Sequence, residues 1–541
     1  MKLPLILLSI GASQALTVPF SPTVQTSYGD LVGTKSTYRP GINVFKGIPY
    51  AKPPVDSLRW TPPQKPEPWS GVYNASDFKP KCAQSLEMGS SLWTTGTTSM
   101  SEDCLYANIW APANATSSSA LPVYVWMYGG RYVDGSGDVV TYDGSGLAEQ
   151  DIIVVTFNFR LGPFGFLAHP ELSAESPFSS SGNYGVMDLI HMVQWVKDEI
   201  SAFGGDPNHI TVGGQSSGSA CALNMMYSPL ANGLISGVIA ESGARATHDP
   251  LTGVLATSYR EKEAAESSGA KVMADLNATT LAEMRNLTMT QLLEYILLDG
   301  TLFDGSSYED VIAFVPGPPE WRPVLDGYVM PRSYGAALRQ GLHNDVPILT
   351  GNNVDESGAS TAPGLTVDTF YSNFTAMLGN LSTEFFPLYP LEDKTAAAAN
   401  NASNAAFDDI SRISTWVWAK EWYSGGAKSD VFTYFWTHAP PGQNQGAFHG
   451  AEMYYVFNNL PYTDTSLPWT SKDYAIQSRM TRYWANFIRT GNPNNAGLPF
   501  WPVSGNAKET MWLGNSWGVG PIADDARISY VEEWFSRNQE W

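Results

Sequence analysis

An α/β domain with a central, mostly parallel sheet flanked by helices is the fold class this sequence predicts, and two observations predict it. Short apolar runs that read as buried strands alternate with stretches whose apolar residues recur at helical spacing. One of those strands runs directly into a Gly-Ser-Gly turn that opens a helix. The composition supplies a core for such a fold. Of 541 residues, 43% are apolar and 12% aromatic, which excludes wholesale disorder.

The strands are expected at 123–127, 152–158, 210–213, 346–350 and 431–436. Helices are expected at 186–200, 218–227 and 479–488. The first of these carries Met187, Ile190, Val193, Val196 and Ile200 on one face. The segment 251–297 is rich in Ala, Glu, Met and Leu and reads as a helical cap over one end of the sheet. Ser/Ala clusters at 115–120 and 396–406 read as surface loops or a helix edge, neither long enough to separate domains. In such sheets active groups gather at the carboxyl ends of the strands, so the loops that follow them are where chemistry is sought.

The N-terminus predicts export. Met1-Lys2-Leu3 leads into an apolar run through Leu8, Ile10 and Ala12, followed by Ser13-Gln14-Ala15 with small residues at the −3 and −1 positions of a cleavage site. Residues 1–15 therefore read as a secretory signal peptide. Seven Asn-x-Ser/Thr sequons, at Asn74, Asn114, Asn277, Asn286, Asn373, Asn380 and Asn401, agree with an N-glycosylated, secreted protein. No other run of eighteen apolar residues is present, so stable membrane insertion is not expected. Lys and Arg total 31 against 52 Asp and Glu, a net charge of −21. That balance argues against a nucleic-acid partner and against binding to anionic lipid headgroups. Three Cys are too few for a disulfide scaffold or a Cys-rich metal site, and no metal constellation or phosphate loop is evident, so no cofactor is expected.

The sharpest feature is Gly213-Gly214-Gln215-Ser216-Ser217-Gly218, directly after the strand at 210–213. Gly214, Ser216 and Gly218 make a G-x-S-x-G turn between strand and helix. A serine there sits on strained dihedrals with its hydroxyl raised at a helix N-terminus. The flanking glycines allow neighbouring backbone to approach without a Cβ clash.

On these residues the chain resembles the type-B carboxylesterase and lipase family, the cholinesterase-like branch of the α/β hydrolases. Phe203-Gly204-Gly205-Asp206-Pro207 through Gly218 matches the family's active-serine pattern. Glu102-Asp103-Cys104-Leu105-Tyr106-Ala107-Asn108-Ile109-Trp110 matches its second signature, with Ala107 in place of the usual branched aliphatic. Phe45-Lys46-Gly47-Ile48-Pro49-Tyr50-Ala51 and Asn158-Phe159-Arg160-Leu161-Gly162 are similar to two further blocks. The resemblance runs from about residue 19 to residue 494 and implies the α/β-hydrolase fold, with 16–541 as a single domain.

A serine hydroxyl is a weak nucleophile until a base takes its proton and a carboxylate orients that base. In α/β hydrolases the order along the chain is Ser, acid, His. Asp355 and Glu356 both lie beyond the strand at 346–350, and composition does not choose between them. Only His438 and His449, of seven histidines, follow that acid. The resemblance selects Glu356 and His449 and leaves His438 as a surface loop residue and Glu452 as an orderer of the His449 loop. Oxyanion-hole N–H groups, each worth roughly 3–4 kcal/mol of barrier, are expected from Ser217 and, by the resemblance, from Gly130 and Arg131. Arg131 stands where the family has a third Gly. Its side chain either turns aside to pair with a carboxylate such as Asp134 or recognises a carboxylate-bearing or polyphenolic substrate.

The resemblance also implies a Cys82–Cys104 disulfide, leaving Cys221 buried, and a supporting role for Ser242. The loop between Cys82 and Cys104 is short with one aromatic, Trp93, which argues against a long interfacial lid. Gln215 stands where cholinesterases carry Glu, which weakens the case for a quaternary-ammonium substrate. The expected activity is hydrolysis of small-molecule or lipid carboxylic esters through an acyl-enzyme. The alternatives are a lipase or transesterase on the same triad, or a binding or adhesion relative without catalysis.

Overall fold

The computed structural model describes residues 21–84, 99–295, 321–360 and 364–541. The expected signal segment and Trp93 lie outside them. The main sheet has eleven strands, numbered here in chain order. They are β1 (Thr34–Lys35), β2 (Ile42–Pro49), β3 (Tyr106–Pro112), β4 (Leu121–Met127), β5 (Ile153–Phe157), β6 (Gly205–Gln215), β7 (Gly237–Glu241), β8 (Ile348–Asn353), β9 (Val431–Trp436), β10 (Glu509–Leu513) and β11 (Gly518–Pro521). Their spatial order is β11-β10-β9-β8-β7-β6-β4-β5-β3-β2-β1.

From β5 to β10 every neighbouring pair is parallel. The pairs at the two edges, from β5 outward through β3 to β1 and from β10 to β11, are antiparallel. This is the mostly parallel sheet the sequence predicts. The parallel strands β5, β7, β8 and β9 are buried along their whole length, because helices cover both faces. The register sets the carboxyl ends level: Met127 pairs with Gly214, Gln215 with Glu241, and Glu241 with Gly351. Loops leaving β4, β6, β7 and β8 therefore emerge side by side.

The principal helices are α1 (Tyr184–Glu199), α2 (Ser217–Tyr227), α3 (Lys262–Asp275), α4 (Ala396–Ser424) and α5 (Ser471–Thr490). The expected cap is helical in α3 and in the shorter Leu281–Asn286 and Met289–Leu293. The Ala-rich stretch at 396–406 is not a loop. It is the first third of α4, capped by the Thr395 hydroxyl on the Ala398 N–H, and it buries Ala398, Ala399, Ala402 and Ala406. A disulfide joins Cys82 to Cys104, and Cys221 is free and buried. No helix among the described residues is long and apolar enough to cross a membrane.

Candidate active site

Ser216 stands at the tight turn between β6 and α2 with φ 62° and ψ −125°. A non-glycine residue there is strained, and the structure holds it from two sides. Its N–H donates to the Glu241 carbonyl at 2.9 Å, and α2 begins at the next residue. The two glycines of the motif answer to sterics. A Cβ at Gly214 would lie 2.3 Å from the Met127 carbonyl oxygen, and one at Gly218 only 2.0 Å from the same atom. The end of β4 thus packs backbone-to-backbone against the elbow.

β4 runs on into Gly129-Gly130-Arg131-Tyr132. Gly130 has φ 112°, and a Cβ there would meet the Asp134 carboxylate at 2.1 Å. Arg131 and Tyr132 are both left-handed, at φ 55° and 62°, a conformation costing roughly 1–2 kcal/mol per residue. The turn is closed by the N–H groups of Val133 and Asp134, which both donate to the Gly130 carbonyl at 3.0 and 3.1 Å. Arg131 therefore adopts a backbone that glycine would take without strain, and keeps its N–H in the loop.

Glu356 follows β8 and meets Nδ1 of His449, which follows β9. The other Glu356 oxygen accepts from the Ser242 hydroxyl at 2.7 Å and from the Asn353 N–H at 2.9 Å. Burial alone would raise this carboxyl, but the His449 charge and these hydrogen bonds outweigh it and hold it below its ordinary value. Burial also works against a charged His449. Glu356, with Glu452 behind it, outweighs that and raises the imidazole above its ordinary value, while the Arg131 guanidinium pushes the other way. The Gln215 amide nitrogen is 3.3 Å from Nε2 and 3.4 Å from Nδ1. Being nearly equidistant, it packs against the ring rather than donating along either lone pair.

Asp355, the alternative acid, does a different task. Its carboxylate accepts from the Ala447 N–H at 2.7 Å, and its backbone bridges to Phe448, so it fastens the His449 loop. Asn353, the last residue of β8, completes the clamp by donating to the Phe448 carbonyl at 2.8 Å and to Glu452. Sequence reasoning missed Asn353, whose one signal was its place at a strand end. Glu452 orders the loop as expected. Behind it lies Glu241, which accepts from the Trp484 indole at 2.8 Å. Burial pushes both carboxyls above their ordinary value. His438 is not a surface residue. It is buried, with its ring nitrogens 2.8 Å from Asp473 and 2.9 Å from Asn515.

Ser216, His449, Gly130 and Arg131 line one cavity of about 270 Å³, together with Asp134 and Leu255. A second lobe of about 260 Å³ shares Arg131, Ser242, Leu255 and His449 and adds Arg245, Glu356 and Phe407. The structure so brings together serine, imidazole, carboxylate and glycine loop from four neighbouring strand ends.

That constellation on a mostly parallel sheet is how serine hydrolases of the α/β-hydrolase fold carry their chemistry. Comparison with known proteins gives the family: residues 20–516 match the model of the carboxylesterase family, and the chain belongs to it. It is a carboxylic ester hydrolase. Among its relatives, fumonisin B1 esterase of Sphingopyxis macrogoltabida is 33% identical over 88% of this chain and 84% of its own length. Carboxylesterase 4A of Bos taurus is 31% identical over 94% of each. A solved PNB esterase structure superposes with a TM-score of 0.75 at 29% identity, covering 95% of this chain and all of its own.

Proposed function

We propose that the protein cleaves small-molecule carboxylic esters through an acyl-enzyme on Ser216. His449 takes the hydroxyl proton as Ser216 attacks the carbonyl and returns it to the departing alcohol. Water then repeats the sequence in reverse and releases the acid. Glu356 fixes the imidazole with its proton on Nδ1 and stabilises the imidazolium that forms. The N–H groups of Gly130, Arg131 and Ser217 meet the oxyanion. The observation that carries this reading is the His449–Glu356 contact, set at the wall of the cavity that Ser216 also lines. The test is labelling by a fluorophosphonate probe with turnover of 4-nitrophenyl acetate. Both should be present in the wild type and absent in Ser216→Ala. Turnover surviving in that variant would remove Ser216 from the chemistry.

We further propose that the chain is secreted and N-glycosylated. The sequon asparagines Asn74, Asn114, Asn277, Asn286, Asn380 and Asn401 are exposed and Asn373 is half-buried, and a disulfide suits an oxidising compartment. Protein recovered from the medium of its native cells should gain mobility on endoglycosidase treatment. Retention of the whole population inside the cells would overturn this.

A further inference from the structure

The lobe that Ser216 and His449 line also carries a carboxyl to which the hydrolytic reaction gives no task. Asp134 closes the turn of the oxyanion loop with its N–H on the Gly130 carbonyl, and its side chain folds back over that glycine. Its Oδ1 lies 2.1 Å from where a Cβ on Gly130 would be. The residue is 2% exposed, and Oδ1 is buried without a hydrogen bond from any described residue. A buried acceptor without a donor is costly, and a molecule entering this lobe can bring one. Thr257, which follows the short helix Pro250–Val254, lines the same lobe, and its Oγ1 is likewise buried without a partner. Ser242 and His449, in the same wall, are both held by Glu356.

The charges around Asp134 decide what kind of donor suits it. Burial pushes its carboxyl up to about 7, although Lys81 and Arg131 both draw it toward the charged form. With two cations already near, an ammonium group would meet repulsion, and an added carboxylate would face the one on Asp134. A hydroxyl meets neither difficulty. It donates to a carboxyl oxygen and can also accept from the Thr257 hydroxyl. Gly130 lies under Oδ1 and also supplies a proposed oxyanion donor, so a hydroxyl held here is a short spacer away from the reacting carbonyl. At about 270 Å³ the lobe is just below the usual size range for ligand pockets, which favours a compact substrate.

We propose that Asp134 is a specificity residue of this lobe, selecting compact esters that bear a hydroxyl a few bonds from the reacting carbonyl by accepting a hydrogen bond from it. This rests on the esterase reading above. A site built to pair with a hydroxyl discriminates against the analogue that lacks it, because the buried acceptor is then left unpaired.

The experiment uses two pairs of esters, one for each side of the scissile bond. 4-Nitrophenyl 3-hydroxybutanoate against 4-nitrophenyl butanoate places the hydroxyl on the acyl part. 2-Hydroxyethyl butanoate against propyl butanoate places it on the alcohol. Each kcat/KM is divided by the rate at which hydroxide alone hydrolyses that ester, which removes the inductive effect of the added oxygen. The wild type should prefer the hydroxyl member of one pair roughly ten-fold or more, and that pair identifies the side. Asp134→Leu, close in shape, should abolish the preference, chiefly by raising KM on the hydroxyl ester, while Asp134→Asn, which keeps an acceptor oxygen, should retain part of it. No preference in either pair, or one that survives Asp134→Leu, would overturn the inference. Should Asp134→Leu fail to fold, the wild-type ratios decide: a preference supports the inference and its absence from both pairs overturns it. Fluorophosphonate labelling separates the levels. If labelling and turnover of the plain esters persist without a hydroxyl preference, this inference falls alone. If labelling is absent, the esterase reading falls and this one with it.

Discussion

Both His438 and His449 follow β9, and both contact a carboxylate, yet their surroundings give them opposite characters. His438 meets an oxygen on each side of its ring, Asp473 at 2.8 Å and Asn515 at 2.9 Å. Asp473 also accepts from the Tyr455 hydroxyl at 2.9 Å and takes part in the capping box that starts α5. The side chains are 10% and 2% exposed. This pair ties a loop to a helix end, and neither ring nitrogen is left for a substrate. His449 contacts Glu356 through Nδ1, its side chain is 33% exposed, and it faces the cavity that Ser216 lines. A histidine–carboxylate pair becomes a candidate base when the acid holds one nitrogen and the ring faces a cavity that a serine also lines.

The contrast can be broken by experiment. His449→Ala should lower kcat on the order of 10⁵-fold while leaving the denaturant midpoint near that of the wild type. A midpoint collapse without the rate loss would make it a structural pair like the other. Glu356→Gln should lower kcat about 10³- to 10⁴-fold by upsetting the imidazole tautomer. Asp355→Asn, which keeps an oxygen for the Ala447 N–H, should change kcat by less than about tenfold.

For His438→Ala the expected cost is stability, about 1–3 kcal/mol from a buried Asp473 that loses one of its hydrogen-bond partners, seen as a lower unfolding midpoint in urea. Turnover per fluorophosphonate-titrated site should stay within a few-fold. A large loss of turnover there would erase the distinction between the two pairs.

The pH profile sharpens the comparison further. His449 must be neutral to accept the serine proton, and its pKa is raised by Glu356 and Glu452 against the effect of burial. The acid limb of kcat/KM should therefore have its midpoint above the ordinary imidazole value of about 6.5, activity rising as pH rises through it. A midpoint below that value would show that burial, not the carboxylates, controls the ring. The smallest effect is expected for Glu452→Gln. Burial raises this carboxyl and favours its protonated form, with which the amide is close to isosteric. Unfolding free energy should change by less than about 1 kcal/mol, since Asn353 keeps an acceptor. A larger loss would mean that residue 452 carries charge.

Much of this arrangement was legible in the sequence where the signal was local. The elbow could be read because strand, glycines and helix are adjacent in the chain, and the strand at 431–436 fell where its apolar run indicated. Long-range facts were not legible. The choice of Glu356 over Asp355 came from the resemblance alone, and the structure adds the reason: Asp355 is turned onto Ala447 while Glu356 reaches Nδ1. His438 was misread as exposed because its partner, Asp473, belongs to α5, a distant element. At 396–406 the sequence left a loop and a helix edge both open, because Asn and Ser among the alanines weaken helix propensity, and the structure makes it the start of α4. Burial of its small residues against neighbouring elements stabilises it instead.

Gly218 has one more implication. The carbonyl of Met127 and the backbone of Tyr128, which its absent side chain admits so closely, immediately precede the glycine loop. The end of β4 and the start of α2 therefore meet main chain to main chain at Gly218, so backbone contact sets the spacing between the turn that carries Ser216 and the Gly129-Gly130 loop. Substitutions at Leu255, Ala256 or Thr257 can then reshape the cavity wall while that backbone spacing is retained.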